Sequence, residues 1–465
     1  MAEQLLWAEQ AWIAGRWQQG VALEVDPMGR WGSIRSGVMQ PPAGARQLPG
    51  PVLPGLVNAH SHAFQRAFAG LAERRESQTD DFWSWRERMY QVALRITPAQ
   101  MRAVAAQLYL ELLRGGYTQV CEFHYLHRDA QGEPYADPAT MCWALADAAG
   151  DAGLGITLLP VLYERAGFAQ DALREDQRRF AGTPESVHRL FESLQGCGRE
   201  RLSAGVAIHS LRAASEASVT ALLRLMEDEA MPIHIHVAEQ TLEVDECVAA
   251  TGQRPIEWLC REFGPDARWQ LVHATHATPN EIEAVARTGA GIILCPATEA
   301  NLGDGLCDLP GWLSARVPIA LGSDSHVTRN WPEELRWLEY GQRLLRRQRN
   351  VAAAPELGQP STAARLFDAA QQAGGRSAGF ANWGLLSGAR ADALVLDPAS
   401  PALLGIAPGN RLDALVFAGG EPAMREVLVG GQRVLQDGHH PREATIAANF
   451  IEVMESLWGP QHTRP

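Results

Sequence analysis

The run Val52-Leu53-Pro54-Gly55-Leu56-Val57-Asn58-Ala59-His60-Ser61-His62 decides the fold. A mostly apolar stretch leads into a His-x-His pair, the pattern of a buried strand that delivers two side chains to a site at its C-terminal end. Successive side chains of a strand alternate between faces, so His60 and His62 point the same way and can converge on one ion, while Ala59 and Ser61 face elsewhere. Alone the pair is a weak signal, because two histidines two apart arise often by chance and are as a rule satisfied or exposed. Its weight depends on what the rest of the chain sets beside it.

Outward from this run, short apolar stretches alternate with longer amphipathic ones. Eight stretches read as strands: Val52 to His62, Tyr117 to His124, Gly155 to Tyr163, Leu202 to Ser210, Met231 to Glu239, Trp269 to Thr275, Ala290 to Pro296 and Val317 to Ser325. Between them lie helix starts. Thr97-Pro98 opens Ala99 to Arg114, Thr183-Pro184-Glu185 opens a stretch to Gly196, and similar signals stand at Ser215 and Thr278-Pro279-Asn280-Glu281. Alternating strands and helices mean a parallel sheet, and eight strands are the number that closes it into an α/β barrel of the (β/α)8 TIM type. An open doubly wound sheet would alternate in the same way, but the G-x-G-x-x-G turn it usually carries after its first strand is missing.

Outside the barrel, the first 50 residues hold short strand-like pieces (Ala11-Trp12-Ile13-Ala14 and Val21-Ala22-Leu23-Glu24-Val25) before a Pro/Gly segment from Gln40 to Pro54. Ala393 to Leu396, Ala414 to Phe417 and Val427 to Val434 look like matching strands near the other end. Residues 1–52 and 385–465 are therefore expected to build one small β-sandwich, closed by a helix from Arg442 to Trp458, around a barrel over 53–384. No internal repeat or low-complexity tract appears.

Composition narrows the chemistry. The chain has 465 residues, a 46% hydrophobic content and a formal net charge of −13, enough for a large core and contrary to what phosphate contacts with a nucleic acid need. The basic cluster Arg346-Arg347-Gln348-Arg349 reads as a solvated helix end. The seven cysteines are scattered without a Cys-x-x-Cys pair, which points to reduced thiols in a cytoplasm. The chain begins without a charged segment followed by a long apolar one, and no stretch is long enough to span a bilayer, so a soluble protein is expected. There is no lysine: all 41 basic residues are arginine. A lysine Schiff base, a P-loop lysine and a carboxylated lysine bridging two metals are thereby excluded.

Barrel enzymes place their chemistry at the C-terminal ends of the strands. There the first strand has His60-Ser61-His62, the fifth His234-Ile235-His236-Val237-Ala238-Glu239, the sixth His273 and the eighth Asp324. By periodicity alone either His234 or His236 could face the site. This set resembles the amidohydrolase superfamily, whose members carry His-x-His after strand one, histidines after strands five and six, and an aspartate after strand eight. The resemblance spans nearly the whole chain and implies the same barrel with a sandwich built from both termini. It also implies a mononuclear centre, since the fourth strand ends in His209-Ser210 and no lysine can bridge a second ion.

Carried over by that resemblance, the metal ligands are His60, His62, His236 and Asp324, with His234 left as a core histidine. Imidazoles with one carboxylate suit zinc, with iron as the alternative. A bound divalent ion would lower the pKa of water from about 15.7 toward about 7. Asp324 would take up the water proton, Glu239 would shuttle protons to the leaving nitrogen, and His273 would orient the nucleophile and stabilise developing charge. His276 and His326 read as loop residues, the latter close enough to act on Asp324.

Within the superfamily, Gln65 and Arg66, the segment Phe82 to Tyr90, Tyr125, His209 to Arg212 and Gly322-Ser323-Asp324-Ser325-His326 look most like the formimidoylglutamate deiminase branch. That implies a small dianionic substrate, N-formimino-L-glutamate, and a homodimer. Arginine forks grip carboxylates bidentately. Arg86 and Arg212 are the choices for the two carboxylates, with Gln65, Tyr125 and His209 adding hydrogen bonds and Trp83 and Trp85 walling the pocket. A purine or pterin deaminase of the same superfamily would need stacking aromatics instead. A non-catalytic barrel scaffold would be free to lose one of the ligands.

Overall fold

In a computed structural model, residues 3–73, 82–420 and 423–459 are described, apart from the side chains of residues 82–84, so the side chain of Trp83 lies outside the described residues. Eight parallel strands follow one another round a barrel: Leu56–Ser61, Tyr117–His124, Gly155–Leu162, Val206–Ser210, Ile233–Val237, Trp269–His273, Gly291–Leu294 and Ile319–Leu321. A short extra strand, Leu202–Ala204, pairs with the third. A bridge between Ser61 and Asp324 brings the first and last strands together and closes the ring. Every residue of the first three strands is buried, as expected of a parallel sheet covered on both faces.

The opening run is divided between two sheets. Val52–Pro54 pairs antiparallel with Ala393 to Val395, and only Leu56–Ser61 enters the barrel. The change of sheet falls at Gly55, where a Cβ would stand 2.3 Å from the Thr118 hydroxyl oxygen. Only a residue without a side chain lets the two strands approach there.

The helix signals correspond to formed caps. Thr97, Thr183 and Thr278 accept hydrogen bonds from the backbone N–H three residues on, opening Pro98–Arg114, Pro184–Gln195 and Pro279–Thr288, and Ser215 does the same for Glu216–Leu225. The helix Thr362–Ser377 ends inside the N-terminal mouth of the barrel. There the Ser377 carbonyl accepts from His234 Nε2 at 2.8 Å and its hydroxyl donates to Gln270 at 3.0 Å. This plugs the barrel below and leaves chemistry to the opposite end.

Both chain ends build the second sheet, ordered Gln432–Gln436, Met424–Val429, Ala393–Leu396, Val52–Pro54, Gln4–Ile13, Arg16–Val25, Trp31–Arg35, with Arg46–Gln47 beside Gln4–Ile13. Its pairings are mainly antiparallel, and it encloses a core of its own around Leu6, Val21, Leu23, Trp31, Ala393 and Val395. One expected strand is absent: Ala414 to Phe417 lies in the helix Arg411–Phe417, since four apolar residues in a row carry no periodicity that separates a buried strand from a buried helix. The helix Glu443–Trp458 closes the chain, tied to the barrel by Arg114 to Glu443 at 2.6 Å and by Trp458 Nε1 to the Ala67 carbonyl at 2.8 Å. Among the described residues no helix is long and apolar enough to cross a membrane.

Candidate metal centre

The C-terminal strand ends bring His62, His236 and Asp324 round His60. His60 Nε2 lies 3.1 Å from His62 Nε2 and 3.0 Å from His236 Nε2, and Asp324 Oδ1 lies 3.4 Å from His62 Nε2 and 3.6 Å from His60 Nε2. Two of the rings are fixed from behind. His62 Nδ1 meets the Phe123 carbonyl at 3.0 Å and His236 Nδ1 the His209 carbonyl at 2.9 Å. A carbonyl only accepts, so both Nδ1 atoms carry the proton and both Nε2 lone pairs face the centre.

The sequence aims these rings through irregular strand ends. The first strand shifts register between Asn58 and Ser61 against its neighbour, an irregularity that contains His60. The fourth strand shifts between Ile208 and Ser210, which leaves His209 out of the ladder and its carbonyl available to His236. His273 and Asp324 have left-handed backbones, with φ of 69° and 45°. Non-glycine residues in that region store of order 1–3 kcal/mol each and cluster at functional sites. The Asp324 N–H donates to the His60 carbonyl at 3.0 Å and the His62 N–H to the Asp324 carbonyl at 3.3 Å, so strands one and eight clamp each other where the four side chains meet.

The electrostatics sort the histidines into two kinds. Burial holds His60 and His236 well below the ordinary imidazole value, and it pulls His62 down to about 3, partly offset by the bond to Phe123. Neutral imidazoles with converging lone pairs are metal donors. With ligand bonds of about 2.0–2.1 Å in a tetrahedral shell, neighbouring donor atoms stand about 3.3 Å apart, close to the separations seen. The arrangement therefore fits a divalent ion, which His60, His62 and Asp324, or His60, His236 and His273, could hold. His273 behaves oppositely. Burial opposes its charge, but Glu239, the hydrogen bond with Glu299 and Asp324 outweigh that and raise it to about 10. Its Nε2 lies 3.8 Å from both Glu239 Oε1 and Asp324 Oδ2, and its Nδ1 lies 3.3 Å from Glu299 Oε1. Asp324 itself is raised to about 7, mainly by burial, against the pull of His273.

The model of the amidohydrolase family matches residues 52–434. The chain belongs to that family. It is 44% identical to the formimidoylglutamate deiminase of Pseudomonas aeruginosa over 97% of this chain and 99% of that protein. It is 27% identical to a 5-methylthioadenosine/S-adenosylhomocysteine deaminase of Natronomonas pharaonis over 83% of this chain and 81% of that one. Among solved structures, an amidohydrolase from Brucella melitensis superposes with a TM-score of 0.91 at 41% identity, covering 98% of this chain and 99% of that one. The (β/α)8 barrel with a sheet from both ends is thus the fold of this amidohydrolase.

The other sequence candidates line a cavity above the centre. Gln65, Arg86, Tyr125, His209 and Arg212 stand in its wall beside His62, His236, Glu239, His273 and Asp324, and Trp85 joins them. Burial lowers Arg86 below the ordinary guanidinium value, and neighbouring Arg212 and Arg174 add to the effect. Arg212 is raised, because Tyr163, Glu243 and Glu239 outweigh its burial. His234 stays out of the cluster, held by Ser377. His326 sits under Asp324, its Nδ1 2.9 Å from the Ser323 hydroxyl.

Sequence reasoning missed the residues that hold the others in place. Glu243 accepts from the backbone N–H groups of Ala238 and Glu239, both at 3.0 Å. Glu299 accepts from the Cys295 N–H at 2.9 Å while facing His273. Both are first-turn carboxylates of helices that follow barrel strands, a position that offered a signal of helix capping and none of the partner.

Proposed function

We propose that this amidohydrolase converts N-formimino-L-glutamate and water to N-formyl-L-glutamate and ammonia. The observation that carries the reading is the pair of arginines, Arg86 and Arg212, in the wall of the same cavity as His62, His236, His273 and Asp324. In a chain of net charge −13, two guanidiniums beside a hydrolytic centre select a doubly negative substrate. The relative from Pseudomonas aeruginosa, named a formimidoylglutamate deiminase, supports the same substrate.

In this reading His60, His62, His236 and Asp324 hold one divalent ion, taken as zinc with ferrous iron as the alternative. Such an ion supplies hydroxide at neutral pH by lowering the pKa of bound water to about 7. Asp324, through Oδ2, receives the water proton. His273, carrying a proton, donates toward the oxygen that becomes negative as the formimino carbon turns tetrahedral. Glu239 transfers a proton to the departing nitrogen, which leaves as ammonia while the carbon–oxygen double bond forms. Arg86 and Arg212 hold the two carboxylates, and Gln65, Tyr125 and His209 orient the chain between them. Seven cysteines without a disulfide partner support a reducing cytoplasm, and the homodimer rests on the family resemblance.

The test is ammonia release by the metal-loaded protein from formiminoglutamate, formimino-aspartate, guanine and adenosine in parallel, with metal content measured and mass read by sedimentation. Turnover of formiminoglutamate above all others is expected. Turnover of a nucleobase without it would return the protein to the purine deaminases.

A further inference from the structure

Gln177 fixes the direction of two hydroxyls that the reading above leaves unused. It is fully buried in the short 3-10 turn Glu175–Phe180. The Arg174 N–H donates to its Oε1 at 3.1 Å, which identifies Nε2 as the donating end. Nε2 in turn donates to the Tyr163 hydroxyl oxygen at 2.9 Å and to that of Tyr90 at 3.2 Å. An amide N–H can only give a hydrogen bond, so each phenol oxygen receives one and keeps its own hydrogen for another partner. The Arg174 guanidinium, which donates to Asp176, also lies over the Tyr90 ring.

Both phenols line the cavity. Arg86 and Arg212 stand beside them there, and a guanidinium has no acceptor to offer. The guanidinium carbon of Arg86 lies 5.7 Å from the Tyr90 ring centroid and that of Arg174 5.6 Å, so two cations lie over the ring. Among the described residues neither hydroxyl gives a hydrogen bond to a protein acceptor. Burial keeps Tyr163 protonated far above the ordinary phenol range. The two phenols thus bring hydrogens that no described side chain accepts to the cavity that also holds the two guanidiniums.

We propose that Tyr90 and Tyr163, oriented by Gln177, are specificity-determining donors that recognise a substrate carboxylate drawn in by Arg86 and Arg212. The inference rests on the dicarboxylate reading of the site. The arginines supply charge; the phenols supply the distinction between a carboxylate, which accepts at both oxygens, and a carboxamide, whose NH2 would meet donors head on. A site built of donors rejects such a neutral isostere because its buried groups are left unpaired.

The experiment uses the metal-loaded enzyme and its Tyr90→Phe and Tyr163→Phe variants. Glutarate binding is read by calorimetry, and ammonia release is followed with formiminoglutamate and with its two mono-amides. Each substitution is expected to weaken glutarate binding and raise KM for the diacid about tenfold, with kcat within about twofold, as for loss of a charge-assisted hydrogen bond that serves binding alone. For the mono-amide that lacks the recognised carboxylate, KM should not move. Thermal midpoints matching the parent's confirm that the isosteric variants are folded. Unchanged glutarate affinity in both variants, or equal losses on the diacid and both mono-amides, would overturn the inference, as would failure of the parent to bind glutarate. If the parent binds glutarate but does not deiminate the diacid, the catalytic reading falls and the glutarate comparison still decides the role of the phenols.

Discussion

At the residue scale, Glu239 and Gly322 each isolate one requirement of the site. Glu239 touches His273 but belongs to none of the groups among the described residues that could hold a metal ion, so Glu239→Gln should leave bound metal at the parent level while turnover falls by about 10²–10⁴, the usual weight of a positioned proton donor. Metal analysis beside a rate assay checks both halves, and retained activity would remove Glu239 from the reaction. Gly322 does the reverse. A Cβ there would come within 2.6 Å of the His60 Cβ and 2.8 Å of Cys295 Sγ, so Gly322→Ala should push His60 out of place and lower metal occupancy, read by metal content after dialysis. The sequence carried His60, His62, His236, His273 and Asp324 openly, because each ends a strand and the family pattern names the type. It could not choose His236 over His234 by alternation, since what settles His234 is a carbonyl 143 residues away. Gln177 was invisible for a related reason: a neutral amide in a loop has no signature until its two phenols are seen.

At the scale of elements, the junction of strands one and eight does most to hold the centre. Asn58 Nδ2 donates to the Ser323 hydroxyl at 2.7 Å, the Ser323 N–H donates to Asn58 Oδ1 at 2.9 Å, and the same hydroxyl lies 2.9 Å from His326 Nδ1. Ser323→Ala would leave two buried polar groups without their partner, at about 1–3 kcal/mol. The expected result is a lower unfolding midpoint in denaturant together with faster loss of metal to a chelator, because Asp324 rides on the same turn. A variant that lost stability but kept its metal would separate barrel closure from ligand placement. Elements with strong punctuation were legible: Thr-Pro starts and Gly-bounded strands stand where the sequence set them. Elements defined only by apolar content were not. Residues 52–62 read as one strand although the chain changes sheets at Gly55, and 414–417 read as a strand although it is a helical turn.

For the molecule as a whole, acid should act partly through buried neutral histidines. His127 is lowered to about 4, chiefly by burial against the help of its bond to the Val161 carbonyl. Below the unfolded value of about 6.5 the unfolded chain takes up a proton that the folded chain refuses, so this group costs up to about 1.4 kcal/mol per pH unit as pH falls from about 6.5 to about 4. His127→Gln keeps a donor for Val161 and does not titrate. Its stability should fall less steeply across that window, by the equivalent of about one proton, in urea unfolding at pH 5 against pH 7.5.

The sheet drawn from both chain ends also sets an order of events during synthesis. Val52–Pro54 has its antiparallel partner at Ala393 to Val395, more than 300 residues downstream, so the ribosome releases the first strands long before the segment that covers them. Until then Gln4–Ile13, Arg16–Val25, Trp31–Arg35 and Val52–Pro54 can pair only with one another, while the barrel strands emerge. In that interval the edge of Val52–Pro54 that awaits Ala393 to Val395 is open to chaperones or to a second nascent copy.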